Sequence, residues 1–252
     1  MATYIISGGA TGIGAATRQL LQAAGHEVIS VDIKDGDVYA DLGDPASREA
    51  AIYEVAKRWP IIDGLITCAG VASHFPDPGK ILAINYFGTR GLIEGLKPNL
   101  RQGGRVVAIS SNSAPMCQNP ALIDALLANN ETLELDLAQS SHGHDCYAGS
   151  KQAVARWMRS VAPTYAQSGI AFNAVAPGYI ETPMTAEVAA SAEYGEAIRQ
   201  FVASIPIGRP GQPEDVARLI EFLLSPPAGF IAGSLIFCDG AHDALMRPDG
   251  LF

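Results

Sequence analysis

The stretch that decides the fold is TYIISGGATGIGAATRQLLQAAG, Thr3 to Gly25. It opens with a short apolar run of β-branched character, TYIIS (3–7), and closes with a helical pattern, GIGAATRQLLQAAG. Between them Gly8, Gly12 and Gly14 are spaced G-x-x-x-G-x-G, which differs from the strict G-x-G-x-x-G fingerprint but follows the same physics. Glycines let the backbone turn tightly and come close to a pyrophosphate, which sits at a helix N-terminus facing free N–H groups. A glycine turn placed directly after a first strand and before a first helix points to nucleotide binding.

Working outward, the next apolar run, EVISVD (27–32), ends on Asp32, 18 residues past Gly14. That is close to the ~20-residue spacing of an acid that grips adenosine ribose hydroxyls. A carboxylate there repels a 2′-phosphate and favours NAD over NADP. Gly9, Ala10 and Thr11 carry no cation within the loop, and Lys34 is the cation nearby. Further runs follow at GLITCA (64–69), RVVAIS (105–110), IAFNAVA (170–176) and SLIFCD (234–239), with DVYAD (37–41) as an additional candidate. Unbroken apolar runs are expected where both faces of a parallel sheet are covered. PASREAAIYEVAKRW and PEDVARLIEFLLS show helical periodicity between strands and open with Pro and early acids. The βαβα alternation predicts one α/β domain over residues 1–252, a doubly wound parallel sheet of about seven strands with helices on both faces.

Bulk properties narrow the functional classes. The 252 residues are 48% hydrophobic and 17% charged, with a net charge of −9. Such a balance argues against a nucleic-acid surface. No run approaches the ~20 apolar residues of a membrane span, and MATYIISGG lacks the features of a secretory signal. Cys68, Cys117, Cys146 and Cys238 are scattered without a C-x-x-C pair, as in a reducing compartment. The expectation is a soluble cytoplasmic protein. HGHDC (142–146) matches no structural zinc spacing, and no metal site is expected.

Two segments interrupt the rhythm. Residues 112–146 are long for a strand–helix connection, and Pro120 to Leu137 carry helical periodicity, so a helical insertion is predicted. Residues 183–206, including MTAEVAASAEYGEAIRQFVASIP, are amphipathic and follow a strand end; they read as a mobile lid over an apolar substrate. Between these segments stands YAGSK (147–151), which puts a phenol and an ammonium one helical turn apart, on one face. A free Tyr, with a pKa near ~10, is a poor base at neutral pH. A neighbouring cation stabilises its phenolate, the charge of an oxidised nicotinamide ring would help, and together a depression of two or three pKa units is expected, each worth about 1.36 kcal/mol.

In chain order, SGGATGIG (7–14), CAG (68–70), NYFG (85–88), ISS (109–111), YAGSK (147–151) and PGYIET (177–182) resemble the motifs of the short-chain dehydrogenase/reductase family. The resemblance runs from Thr3 to Gly240. It implies a Rossmann fold and NAD(H)-dependent interconversion of an alcohol and a ketone. It also implies four catalytic residues. Tyr147 is the acid–base group, Ser111 holds the substrate oxygen, Lys151 supports Tyr147 and the nicotinamide ribose, and Asn85 anchors a relay water. The implied cofactor contacts are Gly8, Thr11, Gly12, Ile13, Gly14, Asp32, Asp41, Leu42, Ala69, Gly70, Tyr147, Lys151, Pro177, Gly178, Ile180 and Thr182. Ser111, Pro115, Met116, Tyr179, Met184 and Phe201 are the candidates for the substrate pocket.

The sequence departs from the family at Cys68, where Asn is usual, and in the 36 residues from Ser111 to Tyr147. ATGIGAATR, DGLITCAG, NYFGT, the long insertion, YGEAI and DALMRP are similar to the bacterial 3α-hydroxysteroid dehydrogenase/carbonyl reductase branch. That likeness implies a bulky apolar substrate, a 3-hydroxysteroid or its ketone. Alternatives are reduction of a 3-oxoacyl thioester or of a small alicyclic or aromatic ketone, and a non-catalytic NAD-binding sensor. A homo-oligomer is expected, a dimer rather than a tetramer, because the insertion enters just before a helix that relatives use for association.

Overall fold

The computed structural model describes residues 1–131, 138, 141–190 and 195–250. Among these, seven parallel strands form one sheet: β1 (Thr3–Ser7), β2 (Glu27–Asp32), β3 (Val38–Tyr39), β4 (Ile62–Thr67), β5 (Leu100–Ile109), β6 (Ala171–Pro177) and β7 (Leu235–Cys238). Their spatial order is β3-β2-β1-β4-β5-β6-β7. Strand order reverses at β1, which pairs with β2 on one side and β4 on the other. A doubly wound sheet opens a ligand crevice at such a switch point, beyond the strands' carboxyl ends.

The apolar runs lack alternation because neighbouring residues enter two different cores. Ile5, Leu65 and Val106 belong to one buried cluster, and Ile6, Ile66 and Val107 to the other. The first cluster takes residues of α2 (Pro45–Arg58), α4 (Thr89–Leu96) and α6 (Gly143–Gln167). The second takes residues of α1 (Gly12–Ala23) and α9 (Pro213–Leu224). Each face therefore removes its own side chains from water, at about 25 cal/mol per Å² of apolar surface.

Among the boundaries that differ from the sequence reading, three bear on the site. β4 ends at Thr67 rather than Ala69, because the chain leaves the sheet at the crevice after one more ladder bond, Cys68 N–H to Ser7 O at 2.9 Å. β5 starts at Leu100, and its pairing with β4 shifts register between Ile62 and Gly64. The helix carrying YAGSK begins at Gly143, which sets Tyr147 in its second turn rather than at its start.

The insertion contains α5 (Pro120–Ala128), capped by Asn119 and stopped by Asn129 at φ 61°. The rest of the predicted Pro120–Leu137 helix falls partly on 132–137, outside the described residues. Helix α5 lies on α6. A Cβ on Gly149 would sit 3.2 Å from Cys117 Sγ and 3.3 Å from Leu122 Cδ2, so bare backbone permits the approach. Leu122, Ile123 and Leu126 are buried there. In the segment 183–206, α7 (Pro183–Ala190) and α8 (Gly195–Ala203) flank residues 191–194, which lie outside the described residues. Among the described residues no helix is long and apolar enough to cross a membrane.

Candidate active site

A cavity of about 560 Å³ lies at the carboxyl ends of β1, β2, β4, β5 and β6. Its floor is the glycine loop. Gly8 has φ 71°, and a Cβ there would lie 2.5 Å from Ala69 N. A Cβ on Gly14 would lie 1.9 Å from Gly8 O, so a side chain at that position would break the turn. Thr11 caps α1 without a side-chain hydrogen bond, which leaves the helix's first N–H groups facing the cavity as an anion cradle.

At one end stands Asp32. Its Oδ2 accepts from Ala10 N–H at 3.0 Å and its Oδ1 from Lys34 N–H at 3.1 Å. The carboxylate is thus fixed beside the loop, with lone pairs left for ribose hydroxyls. Asp41, Leu42, Lys34 and Lys80 line the same end, and Lys80 Nζ lies 3.4 Å from Asp41 Oδ2.

At the other end Ser111, Tyr147 and Lys151 converge. Ser111 Oγ accepts from Ser113 N–H at 3.1 Å and from Ser113 Oγ–H at 2.9 Å, and its hydroxyl acts on the Tyr147 phenol in the sense that lowers the phenol's pKa. Lys151 is buried. Its Nζ donates to Ile109 O at 3.1 Å and stands 5.9 Å from the centre of the Tyr147 ring. Burial lowers its pKa from 10.5 to about 8. Cys68, in the place of the usual Asn, is pushed by burial up to about 12 and is a neutral thiol beside that ammonium.

The expected depression of the Tyr147 pKa is not found. Burial raises it above its ordinary value, and only the Ser111 hydrogen bond acts in the other direction. The reason is physical. A phenolate loses its hydration in the cavity, and the Lys151 ammonium, bonded to Ile109 O and 5.9 Å from the ring centre, does not offset that loss.

Asn85 is fully buried within a π-helical turn, Ala83–Gly88, that joins α3 (Pro78–Leu82) to α4. Its Nδ2 donates to Val71 O at 2.9 Å, and its Oδ1 accepts from Val71 N–H at 2.8 Å. A Cβ on Gly70 would lie 3.0 Å from Asn85 Oδ1 and 3.5 Å from Lys151 Nζ.

Gly8, Thr11, Gly12, Ile13, Gly14, Asp32, Asp41, Leu42, Ala69, Gly70, Pro177, Gly178, Ile180 and Thr182 all line the cavity. Of the substrate candidates, Ser111 and Met184 also line it, whereas Pro115, Met116, Tyr179 and Phe201 do not. Phe201 packs edge-on against His242, with ring centres 4.2 Å apart. The insertion adds no lining residue among those described. Its described helix, α5, covers the flank of α6. Sequence reading passed over Val71, Phe75, Ile84 and Lys80, which do line it. Val71 and Phe75 sit just past CAG, and that adjacency was the available signal. His74 Nε2 of the loop after CAG lies 3.6 Å from Glu187 Oε2 of α7. Among the described residues no cluster of His, Cys, Asp and Glu has the makings of a metal site.

Residues 2–121 match the family model described as short chain dehydrogenase, and residues 133–241 that described as enoyl-(acyl carrier protein) reductase. The chain is 38% identical to 3-alpha-hydroxysteroid dehydrogenase/carbonyl reductase of Comamonas testosteroni, covering 98% of this chain and 99% of that one. It is 31% identical to cis-4-hydroxycyclohexanecarboxylate dehydrogenase of Sinomonas cyclohexanicum, covering 96% of each. Among solved structures, 3-alpha-hydroxysteroid dehydrogenase from Pseudomonas sp. B-0831 complexed with NADH superposes with a TM-score of 0.94. That protein is 40% identical, over 99% of this chain and 100% of the other.

Proposed function

The chain is an oxidoreductase belonging to the short-chain dehydrogenase/reductase family, and we propose that it uses NAD(H) to interconvert a 3-hydroxysteroid and its 3-oxosteroid. The observation that carries this reading is one continuous cavity. It joins a pyrophosphate cradle and Asp32 at one end to Ser111, Tyr147 and Lys151 at the other. The residues present suit the cofactor. The α1 N-terminus would receive the pyrophosphate and Asp32 the adenosine ribose, while Lys151 would hold the nicotinamide ribose and Gly178, Ile180 and Thr182 would border the ring. When bound, NAD supplies a hydride acceptor and NADH a hydride donor.

The chain's own residues move the proton. In alcohol oxidation Tyr147 takes the hydroxyl proton, while Ser111 donates a hydrogen bond to the same oxygen as its negative charge develops. In reduction both steps reverse. Because burial holds Tyr147 protonated, the phenol is ready to act as the acid, and oxidation needs positive charge near its oxygen. Lys151 is the protein's source of that charge. Asn85 clamps the Val71 backbone, and its proposed part in a proton relay runs to Lys151 across the bare Gly70.

The steroid assignment is supported by the 38% and 40% identical relatives and by an apolar wall of Val71, Phe75 and Met184 near Tyr147. We place the protein in the cytoplasm, in keeping with four free cysteines and an acidic surface. We also propose a homodimer, because α5 occupies the flank of α6 that would otherwise be open to association. A panel of 3α- and 3β-hydroxysteroids and simple alicyclic alcohols, assayed with NAD and NADP, tests the function. A hydroxysteroid with NAD is expected to give the highest kcat/KM. Preference for a small alicyclic alcohol or for NADP would overturn the respective half of the assignment.

A further inference from the structure

We propose that Ser113 is a positioning residue that fixes Ser111 as a hydrogen-bond donor toward the substrate oxygen. The proposal rests on the role given to Ser111 above. A serine hydroxyl has one proton and two acceptor lone pairs. Both lone pairs of Ser111 are engaged by a single residue, through Ser113 N–H at 3.1 Å and Ser113 Oγ–H at 2.9 Å. What remains for the substrate oxygen is the proton, and the hydroxyl that carries it acts on the Tyr147 phenol in the sense that favours a phenolate.

The local backbone holds this arrangement. Asn112 N–H bonds Pro177 O at 2.9 Å, Ala114 N–H bonds Ser111 O at 3.1 Å, and Met116 N–H bonds Ser113 O at 2.8 Å. Ser113 therefore cannot drift from Ser111 without breaking a pinned turn. Ser113 itself does not line the cavity, so it acts only through its neighbour.

The chemical consequence concerns the alcohol. An alcohol must give its hydroxyl proton to Tyr147. A Ser111 free to accept would offer that proton a second acceptor, and the alcohol would bind in a complex from which Tyr147 cannot react. Filling both lone pairs removes this option and leaves Tyr147 as the acceptor. A ketone has no proton to misplace and needs only a donor. Ser113 should therefore matter to the alcohol complex more than to the ketone complex.

Ser113→Ala keeps the backbone N–H and frees one lone pair. The expected result is that kcat and KM for a hydroxysteroid fall together, by roughly 3- to 10-fold, because part of the alcohol is bound unproductively. Single-turnover oxidation should slow by the same factor. In the ketone direction kcat and KM should stay within about 2-fold of wild type, consistent with a nearly unchanged kcat/KM in each direction. Ser113→Thr, which retains the hydroxyl, should restore the oxidation values.

A second readout needs no turnover. The tyrosinate absorbance of Tyr147, isolated by subtracting Tyr147→Phe, should appear at higher pH by about 0.3–0.5 pKa unit in Ser113→Ala, because a less firmly directed Ser111 proton stabilises the phenolate less. Wild-type kinetics in both directions with an unmoved tyrosinate transition would overturn the proposal. Equal losses in both directions would also overturn it, since they would mark general loosening of the turn. Ser111→Ala serves as the control. Full activity in that variant would sink the active-site reading itself, a different outcome from failure of the Ser113 proposal alone.

Discussion

Replacing Lys151 by Met should destroy turnover and stabilise the protein. The Lys151 side chain is buried, and its pKa is about 8 against an ordinary 10.5. At about 1.36 kcal/mol per pKa unit, that gap means the charged form weakens the fold by about 3 kcal/mol at neutral pH. Methionine fills nearly the same volume without charge. It also leaves the Ile109 carbonyl without its 3.1 Å partner, which returns about 1 kcal/mol of the gain. The net expectation is a variant about 2 kcal/mol more stable.

The sign of the pH dependence follows from proton counts. Below pH 8 Lys151 is protonated in both folded and unfolded chains, and the full penalty applies. Between about 8 and 10.5 the folded side chain gives up its proton first. The unfolded chain then binds more protons, and this group's contribution to stability rises with pH. The advantage of Lys151→Met should therefore be complete below pH 8 and fade by about pH 10.5. Urea unfolding of both proteins without cofactor, at several pH values, measures it. Taking the difference between the two removes the titrations that Lys151 does not influence. A variant less stable than wild type at pH 7, or a difference independent of pH, would refute the argument that burial of this ammonium strains the fold.

Further perturbations address the remaining roles. Tyr147→Phe removes the transferable proton and leaves the cavity shape, so turnover should fall by ~10²-fold or more while NADH fluorescence titration shows retained binding. Asp32→Ala removes a carboxylate that also holds Ala10 N–H, so kcat/KM for NAD should drop by about 10-fold and that for NADP should rise. Leu122→Ala empties a buried contact between α5 and α6 and should lower stability by about 3 kcal/mol with little change in kcat. Exchanging residues 120–137 for a Gly/Ser linker uncovers the α6 flank and should change the molar mass measured by light scattering.

The fold was legible because its signals are local and repeated. The buried parts of the central strands are short apolar runs, and they lack alternation because consecutive residues such as Ile5 and Ile6 enter opposite cores. The glycine loop was legible for the same reason, since Gly8 and Gly14 stand where no Cβ fits. Electrostatics were not legible in this way. The Y-x-x-x-K spacing places Lys151 one turn from Tyr147, but spacing does not reveal that the ammonium bonds Ile109 O or that burial outweighs its field at the phenol. The pocket wall was half legible. Met184 follows a recognisable strand end, whereas Phe201 is drawn away by His242, a residue 41 positions further on whose partner no local pattern names.

The insertion shows most sharply what a sequence pattern leaves open. Its periodicity announced a helix, and α5 is present, but an amphipathic helix states only that it has an apolar face to bury. Which surface receives that face is decided at Gly149, between Tyr147 and Lys151. There the missing side chain lets Cys117 and Leu122 close on α6. One helix thus presents Tyr147 and Lys151 to the cavity and a bare glycine to the insertion. On this geometry Gly149→Ala would press a methyl group to within 3.2–3.3 Å of both neighbours. Either α5 gives way or the catalytic helix does. If α5 yields, stability falls by about 1–3 kcal/mol and kcat holds. If α6 yields, kcat falls along with stability, because Tyr147 shifts against Ser111. Since α5 ends at Asn129 and borders the chain's exposed side while α6 is packed on β6, the first outcome is expected. Unfolding curves and kcat measured on the same variant decide it, and a loss of kcat without loss of stability would refute the placement of the strain in the insertion.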